Sequence, residues 1–419
     1  MAGSGRHRLG RLRVLTAAGI IAVVGAASPA AARVQAQASA GWPQFQGNAG
    51  HTGASLDERS VTRANVGQLG TAWTAALPSR SFNSEVVVTG GVAYVGAGNT
   101  VSAFGAGNGT RLWQVSLPGS VLGTPSVQGG LVLVAISDDS GPHLKGLVVA
   151  LSTATGATVW LRSVGPLGSP SLASSTTITT TANRAYVTLS SGRVEAMGLK
   201  HGFKIWASAV LPGCRPSQPS VAGGLVVMGS GGTDVVALHA LDGTLAWHDA
   251  LGSGCGVSAA NWLPAIGGGT VYAGLLNGVA ALNLSTGVVV WHNQSQPFSR
   301  GVFFPPSLTA SDVIAGSQGT TQLAALSRSD GTFRWQTALP DSGEVAAATV
   351  FGGLAWALAQ PSAGGSAKAV ALGPLTGHRL FSTRPYADET QGFPPVVSAG
   401  HVYINLGNEL LVLALPASG

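Results

Sequence analysis

The sequence predicts an all-β protein folded as an eight-bladed β-propeller of four-stranded antiparallel blades. Three observations predict this fold: an eleven-residue frame that recurs along the chain, aromatic residues spaced 40 to 47 residues apart, and a final repeat that lacks only its last strand. Self-similarity at such a period is typical of solenoids, propellers and repeat arrays. The composition agrees, because 61 glycines and only 9% charged residues indicate many turns and little helix.

The recurring frame has Ala first, a large apolar residue second, Gly seventh and an aromatic residue last. Its seven copies are 103–113 (AFGAGNGTRLW), 150–160 (ALSTATGATVW), 196–206 (AMGLKHGFKIW), 237–247 (ALHALDGTLAW), 281–291 (ALNLSTGVVVW), 325–335 (ALSRSDGTFRW) and 371–381 (ALGPLTGHRLF). Glycine suits the turn, because a positive φ costs energy in any residue with a Cβ atom. The frame therefore predicts a hairpin whose aromatic residue fills space between two packed sheets.

The aromatic residues that end the units give the number of blades. These structural blade aromatics are Trp73, Trp113, Trp160, Trp206, Trp247, Trp291, Trp335 and Phe381. Between two of them lie a run that often opens with Pro, such as TPSV at Thr124, and a Gly-led β-rich run such as GGLVLVAIS. Each unit thus holds four strands, as a propeller blade does.

The two ends of the chain are predicted to share the eighth blade. The final repeat supplies three strands, and residues 69–77 supply the missing strand type, with Trp73 in the aromatic slot. This closure would remove the open sheet edges. A seven-bladed ring with an unrelated N-terminal strand is the alternative. The propeller would span residues 69–419, and residues 41–68 would form an ordered lead-in that packs across its face or edge.

Residues 1–32 have the features of a secretory signal peptide, with cleavage possible up to residue 40. A basic start, a short apolar run rich in Ala and Gly, and small residues around SPAAA carry this interpretation. We expect export by the general secretory route, because there is no twin arginine, and an extracellular or cell-envelope location. A membrane anchor is the alternative, but the apolar run is short for a spanning helix, so we expect no stable membrane insertion after cleavage.

The formal charge of +6 comes largely from arginines in this first segment, since residues 33–419 hold 18 basic against 16 acidic residues. This near-neutral balance gives no reason to expect a nucleic-acid or membrane-surface role. We expect a monomer.

The two cysteines, Cys214 and Cys255, occupy the same place in successive repeats, just before the first strand of the next sheet. Equivalent points on neighbouring blades can lie close together near the axis, and an exported chain meets an oxidising environment. We predict a disulfide between them. A reactive thiol pair is the alternative, although the CxxC spacing is absent.

The frame A-x-x-x-x-[TDN]-G-x-x-x-W and the opening WPQFQGNAGHTG resemble the pyrroloquinoline quinone (PQQ)-like β-propeller superfamily over residues 42–419. That superfamily includes quinoprotein alcohol dehydrogenases and an outer-membrane assembly lipoprotein that lacks a quinone. The dehydrogenases carry a vicinal cysteine pair, a catalytic Asp and an acidic Ca²⁺ site, none of which can be placed on this chain. We therefore predict no catalytic or metal residue and expect no cofactor.

Ligands of propellers usually sit at the central channel, where the first strand of each blade begins. The candidate residues of such a funnel are Arg80, Arg215, Asn261, Trp262, Arg300 and Phe304. The arginines Arg215 and Arg300 could hold an anion, and the aromatic residues could stack on a sugar or a peptide. Solvated or packed loop residues are the alternative.

Two main functional hypotheses follow, and a third, weaker one is an envelope-assembly factor like the quinone-free lipoprotein, against which the missing lipidation Cys counts. The preferred one is an exported, non-catalytic binding or scaffold module that presents one propeller face to a protein or glycan partner. The alternative is a PQQ-dependent dehydrogenase that oxidises an alcohol or a sugar and uses PQQ with Ca²⁺, because fold does not fix function.

Overall fold

The chain divides into two compact units, Met1–Ser39 and Ala40–Gly419. The computed structural model describes residues of the second unit: 41–55, 57–81, 84–138, 140, 145–167, 178–212, 216–230, 233–251, 263–275, 278–295, 305–316, 320–339, 347–359, 366–387 and 393–416. The lead-in contains two 3-10 turns, Phe45–Gly47 and Val66–Gln68, and the short strand β1 (Ala54–Ser55). Strand β2 (Gly70–Ala76) follows it.

The remaining strands form eight sheets arranged in chain order. Blade 1 has β3 (Val87–Thr89), β4 (Val92–Ala97), β5 (Thr100–Gly105) and β6 (Arg111–Ser116). Blade 2 has β7 (Ser120–Val121), β8 (Ser126–Gln128), β9 (Leu131–Asp138), β10 (Lys145–Ser152) and β11 (Thr158–Val164). Blade 3 has β12 (Thr179–Thr180), β13 (Arg184–Thr188), β14 (Val194–Gly198) and β15 (Lys204–Ala207). Blade 4 has β16 (Ser220–Ala222), β17 (Leu225–Ser230), β18 (Asp234–His239) and β19 (Leu245–Ala250).

Blades 5 to 8 repeat this order. Blade 5 has β20 (Pro264–Gly267), β21 (Thr270–Leu275), β22 (Gly278–Asn283) and β23 (Val289–Asn293). Blade 6 has β24 (Ser307–Leu308), β25 (Asp312–Gly316), β26 (Gln322–Ser327) and β27 (Phe333–Ala338). Blade 7 has β28 (Ala348–Phe351), β29 (Leu354–Ala359), β30 (Ser366–Leu372), β31 (Arg379–Ser382) and β32 (Tyr386–Ala387). Blade 8 joins β33 (Val396–Ser398), β34 (His401–Asn405) and β35 (Glu409–Ala414) to β2.

The predicted closure by the N-terminal strand is confirmed. Strand β2 is the outer strand of blade 8 and pairs antiparallel with β35, with Trp73 opposite Val412. The register shifts between Thr71 and Trp73, and the same irregularity precedes the aromatic residue in blade 1, where Ala103 faces Trp113. Blade 8 therefore has the local geometry of the other blades although its strands come from both ends of the sequence.

Indole rings join neighbouring blades at the rim. Each donates its N–H to a backbone carbonyl of the next blade: Trp73 to Ala106, Trp113 to Thr153, Trp160 to Leu199, Trp206 to Ala240, Trp247 to Leu284, Trp291 to Arg328 and Trp335 to Pro374, at 2.7–3.2 Å. The ring also lies on the frame glycine of that next blade. At Gly202, with φ +66°, an added Cβ would sit 2.6 Å from the ring of Trp160. Glycine is therefore required both by φ and by the indole.

The joint between blades 7 and 8 is different. Phe381 occupies the aromatic slot of blade 7 and has no N–H to donate. Blade 8 has no frame turn to receive it, because β35 and β2 belong to opposite ends of the sequence. The 3-10 turn Val66–Gln68 lies against β31 instead, and the buried side chain of Val66 joins the same apolar cluster as Phe381. The lead-in thus supplies the packing that an indole and a glycine supply elsewhere.

Candidate functional site at the axis of the ring

Residues 42–55, which we call the axial strap, run along the inner strands of successive blades. One backbone N–H per blade donates to the strap in six blades: Val88 to Trp42, Val127 to Pro43, Val221 to Ala49, Ile266 to Gly50, Leu308 to Thr52 and Val350 to Gly53, all on backbone carbonyls at 2.6–3.0 Å. In blade 3, the N–H of Thr180 donates to the Gln44 side-chain oxygen at 2.9 Å. Because the inner strand of a blade would otherwise present unpaired donors, the strap satisfies groups that the blades alone cannot.

The strap ends in blade 7 and its continuation reaches blade 8. Strand β1 pairs in parallel with β28. Beyond it, a carboxylate oxygen of Glu58 accepts the backbone N–H of Ala399 at 2.6 Å, in the β33–β34 turn. The lead-in was expected to pack across a face or an edge, whereas its first half lies along the axis-facing strands and touches blades in sequence order.

Residues with a positive φ allow the strap to curve along the ring of blades. Gln46 and His51 both have φ of 52°, and Gly47 and Gly53 have φ of 83° and 62°. A Cβ on Gly53 would lie 2.1 Å from Ser307 Oγ, so the strap approaches blade 6 more closely than any other residue type allows. Non-glycine residues in this region are strained and are held only by surrounding contacts.

A buried carboxyl anchors the start of the strap to blade 1. Glu85 accepts hydrogen bonds from Trp42 Nε1 at 3.1 Å, from the Gln46 backbone N–H at 2.9 Å and from Gln46 Nε2 at 2.7 Å. Its own backbone N–H donates to Thr124 of blade 2 at 2.8 Å. Burial raises the pKa of Glu85 to about 7, against the lowering effect of these donors.

The Gln46 side chain is compatible with a protonated Glu85. Its Oε1 is buried and has no hydrogen-bond partner. If the Gln46 amide is rotated so that its oxygen faces the carboxyl, a protonated Glu85 donates to that oxygen and the buried acceptor is satisfied. Gln46 and Glu85 then form a neutral hydrogen-bonded pair, and no charge is buried.

A buried histidine holds the middle of the strap between blades 3 and 4. His51 is 1% exposed, and its ring nitrogens lie 3.1 Å from Thr179 Oγ1 and 2.9 Å from Ser220 Oγ. Each hydroxyl oxygen also lies 2.5 Å from a carbonyl oxygen of the next blade, Thr179 Oγ1 from that of Pro219 and Ser220 Oγ from that of Pro264. Because a neutral ring has one N–H, one hydroxyl donates to the bare ring nitrogen, and the other accepts the ring N–H and donates to its carbonyl. Burial lowers the pKa of His51 to about 3, so the ring is neutral.

Hydroxyl side chains at the same place in two later blades extend this link around the axis. Ser307 donates to the carbonyl of Ala348, and Thr349 donates to that of Pro395 at 2.5 Å. Phe45 completes the packing, with its ring 5.3 Å from that of His51 and 6.3 Å from that of Phe393. These described axial side chains are therefore held by contacts with other parts of the chain.

The predicted funnel residues are placed only in part. Arg80 is exposed after β2, and its carbonyl accepts the Gly98 N–H at 3.1 Å. Arg215, Asn261, Trp262, Arg300 and Phe304 lie outside the described residues, as do Cys214 and Cys255. The disulfide stays a prediction, which the intact mass before and after reduction would test.

The axial polar residues Gln46, His51 and Glu85 were missed by sequence reasoning. The available signal was the placement of two aromatic residues, Trp42 and Phe45, within an otherwise polar stretch. Buried aromatic residues in a turn-rich segment indicate that the segment itself enters a core.

Two open grooves lie at the rim between outer strands. One, of about 300 Å³, is lined by residues that include Arg162, Glu195 and Lys204; its Phe203 ring lies 5.0 Å from the Arg162 guanidinium carbon. The other, of about 380 Å³, includes His292 and Asp330. Within the described parts of the chain, no three His, Cys, Asp or Glu side chains are grouped so that they could hold a metal ion. No helix in those parts is long and apolar enough to cross a membrane.

The repeated joints, the four-stranded blades and the composite last blade define a PQQ-like β-propeller. The chain belongs to the family described as outer membrane protein assembly factor BamB, whose model matches residues 57–215, 211–303 and 277–419.

Solved structures share this fold at low sequence identity. BamB from Moraxella catarrhalis is 16% identical with a TM-score of 0.63, over 84% of this chain and 99% of that one. Quinohemoprotein alcohol dehydrogenase ADHIIG from Pseudomonas putida HK5 is 14% identical with a TM-score of 0.68, over 93% and 82%. The quinohemoprotein alcohol dehydrogenase from Comamonas testosteroni is 15% identical with a TM-score of 0.66, over 94% and 83%. No curated protein matches the chain.

Proposed function

We propose that this protein is an exported, non-catalytic binding or scaffold module that presents a rigid propeller face to a protein partner in the cell envelope. The observation that carries the proposal is the axial strap, because the chain itself takes up inner-strand polar groups that a ligand would use. The family description, an outer membrane protein assembly factor, supports a protein partner and an envelope location. A glycan partner is less favoured, since the aromatic residues of the described axis are buried in packing.

The described axis does not fit a quinone with Ca²⁺. Calcium takes about six to eight oxygen ligands, usually with several carboxylates. Glu85 is a buried axial acid, and its two oxygens already accept three hydrogen bonds. We therefore derive no redox step for this chain.

The competing function is a PQQ-dependent dehydrogenase. Titration calorimetry of the mature protein with PQQ and Ca²⁺, followed by a dye-linked assay with alcohols and sugars, separates the two. We expect no saturable heat and no dye reduction. Saturable binding with turnover would overturn the non-catalytic proposal.

The partner can be sought by site-specific photo-crosslinking in the source cell. A photoreactive residue is placed at the predicted channel mouth, at Arg215 or Phe304, and at the rim position Arg379 as a matched exposed control. We expect one protein to be captured from the mouth positions and not from the rim. Equal capture from both, or none from either, would contradict a partner at this face.

Export is tested separately by the N-terminal sequence of the protein recovered from the cell envelope. We expect it to begin between residues 33 and 41, as cleavage after residue 32 or up to residue 40 requires. A mature protein that keeps residues 1–32 would remove this part of the proposal.

A further inference from the structure

Neighbouring blades 3 and 4 carry opposite charges. Residues 178–212 of blade 3 contain Arg184, Arg193, Lys200 and Lys204 against one acid, Glu195. Residues 216–251 of blade 4 contain Asp234, Asp242 and Asp249 and neither Lys nor Arg; Arg215, which precedes them, is predicted to lie at the channel mouth rather than at the rim. The near-neutral balance of the whole chain conceals this local separation.

The rim of the same two blades exposes large apolar side chains. On blade 3 these are Phe203 (66% exposed), Ile205 (46%) and Val210 (58%). On blade 4 they are Leu241 (74%) and Leu245 (54%). Strands β15 and β19 are each last in their sheet order. Ile205 and Leu245 lie on these edge strands, and the other three residues lie in the turns and loops beside them. Apolar side chains exposed together at a sheet edge are typical of a surface that another protein covers.

The charges lie at matching levels of the two blades. Lys200 and Asp242 lie in the frame turns, as the fifth residue of frame 196–206 and the sixth residue of frame 237–247. At the other end of the outer strands, the Arg193 guanidinium donates to the carbonyl of Ser208, directly after β15, at 2.6 Å. On blade 4, Asp249 of β19 pairs with Val235, which corresponds to Val194 in blade 3. Each blade thus offers one charge near each end of its outer strand, with opposite sign on the two blades.

We propose that the rim of blades 3 and 4 binds a second copy of this chain. A two-fold axis parallel to the ring axis places blade 3 of one copy against blade 4 of the other and keeps every residue at its own level. Lys200 then faces Asp242 of the second copy, and Arg193 faces Asp249. The exposed Phe203 and Ile205 meet Leu245.

The charge pattern favours a second copy over other occupants. A uniformly acidic partner would be attracted by blade 3 and repelled by blade 4, and an anionic membrane surface would meet the same conflict. A self-pair satisfies both blades at once, because the pattern is self-complementary under the two-fold rotation. A monomer, as expected from the sequence, is the competing outcome.

The test is sedimentation velocity of the purified protein with charge-reversal variants. We expect the wild-type protein to dimerise, more weakly at high salt. Lys200→Glu and Asp242→Lys should each weaken dimerisation by about tenfold or more, since each creates two like-charge contacts. An equimolar mixture of the two variants should dimerise as the wild type does, because every contact in the mixed dimer is again between opposite charges.

The matched control is Asp330→Lys in blade 6. Asp330 occupies the same frame position as Asp242, and each carboxylate accepts bonds from the Thr two residues later at 3.0 Å and 2.7 Å. The control therefore loses the same turn contacts and should dimerise like the wild type.

Three results would overturn the proposal. The first is a wild-type protein that stays monomeric at a concentration on the order of 100 µM. The second is an equal effect of Asp242→Lys and Asp330→Lys on dimerisation. The third is an equimolar mixture of Lys200→Glu and Asp242→Lys that stays monomeric. If blade 3 instead faced blade 3 of the second copy, Lys200→Glu would replace a Lys–Lys contact by a Glu–Glu contact and would not weaken the dimer. Weaker dimerisation of Lys200→Glu therefore also excludes that arrangement.

Discussion

The rim and the axis of this ring are held together by different means. At the rim, seven joints repeat one contact, an indole that donates to the next blade and covers its turn glycine. At the axis, one segment accepts a backbone N–H from each of six blades and adds side-chain contacts that each occur once, through the Gln44 amide, His51 and the Glu85 carboxyl. Repetition spreads stability over many equivalent positions, whereas the strap concentrates it in a few side chains that have no substitute.

The largest effect expected from this comparison is at the strap. Trp42 is 1% exposed, packs 4.7 Å from the Phe351 ring and donates to Glu85. Trp42→Ala should destabilise the protein by about 3–5 kcal/mol. Trp160→Ala, at a rim joint, leaves one backbone carbonyl, that of Leu199, without its donor and should cost less. Urea unfolding measures the loss of stability in both variants. An equal loss in Trp160→Ala and Trp42→Ala would contradict the distinction between rim and axis.

The pH dependence of stability should come from the axis. The folded pKa of Glu85 is about 7 and the ordinary value is 4.5, so its protonated form is favoured by folding. Its contribution is fully present below about pH 4.5 and is lost as pH rises to 7, by about 3 kcal/mol in total. Glu85→Gln keeps a neutral amide in its place and should make stability above pH 7 exceed that of the wild type.

His51 should act in the opposite direction. Its folded pKa of about 3 lies below the ordinary 6.5, so its contribution is present above pH 6.5 and is lost as pH falls towards 3. Melting temperatures of wild type, Glu85→Gln and His51→Gln between pH 4 and 9 separate the two arms. Parallel profiles for wild type and Glu85→Gln would remove the assigned role of the carboxyl.

Substituting a glycine that faces an indole should destabilise the protein both at the rim and at the axis. Gly202 lies on Trp160 at the rim and Gly47, with φ +83°, lies on Trp42 at the axis; an added Cβ would sit 2.6 Å from the ring in each case. Gly202→Ala and Gly47→Ala should each cost about 2–4 kcal/mol from strain and displacement of the ring. The control, Gly130→Ala, has φ +78° and open space, and should cost only about 1 kcal/mol. Equal midpoints for all three variants would exclude the indole contact as the cause.

The smallest effect expected is the loss of a single rim hydrogen bond. Trp160→Phe removes the indole N–H that donates to Leu199 at 3.0 Å and keeps most of the ring. We expect a loss of about 1–2 kcal/mol. Phe381 provides a natural precedent, because blade 7 lacks that donor. Thermal unfolding would detect the change, and a loss as large as that of Trp160→Ala would mean that ring volume is not what the joint needs.

The repeated blade features could be predicted from the sequence, whereas the contacts of the axial strap, which occurs once, could not. The frames around Trp160 and Gly202 occur seven times, so their period, turn and blade count could be read directly, and Trp73 identified the closing strand. The strap occurs once. Its contacts with Val127, Ile266 and Leu308 run through backbone carbonyls, which leave no pattern in side chains. The ionisation of Glu85 depends on burial by residues distant in sequence, and this also could not be derived without the fold.

The shared last blade has a consequence for how the protein is made. Strand β2 is synthesised among the first described residues, but its pairing partner β35 lies at 409–414, and the strap needs inner strands from blades 1 to 7. Early segments must therefore wait, unpaired, until almost the whole chain has emerged. Contacts between such distant parts of a sequence form slowly. A nascent chain halted before residue 409 should stay open and sensitive to protease.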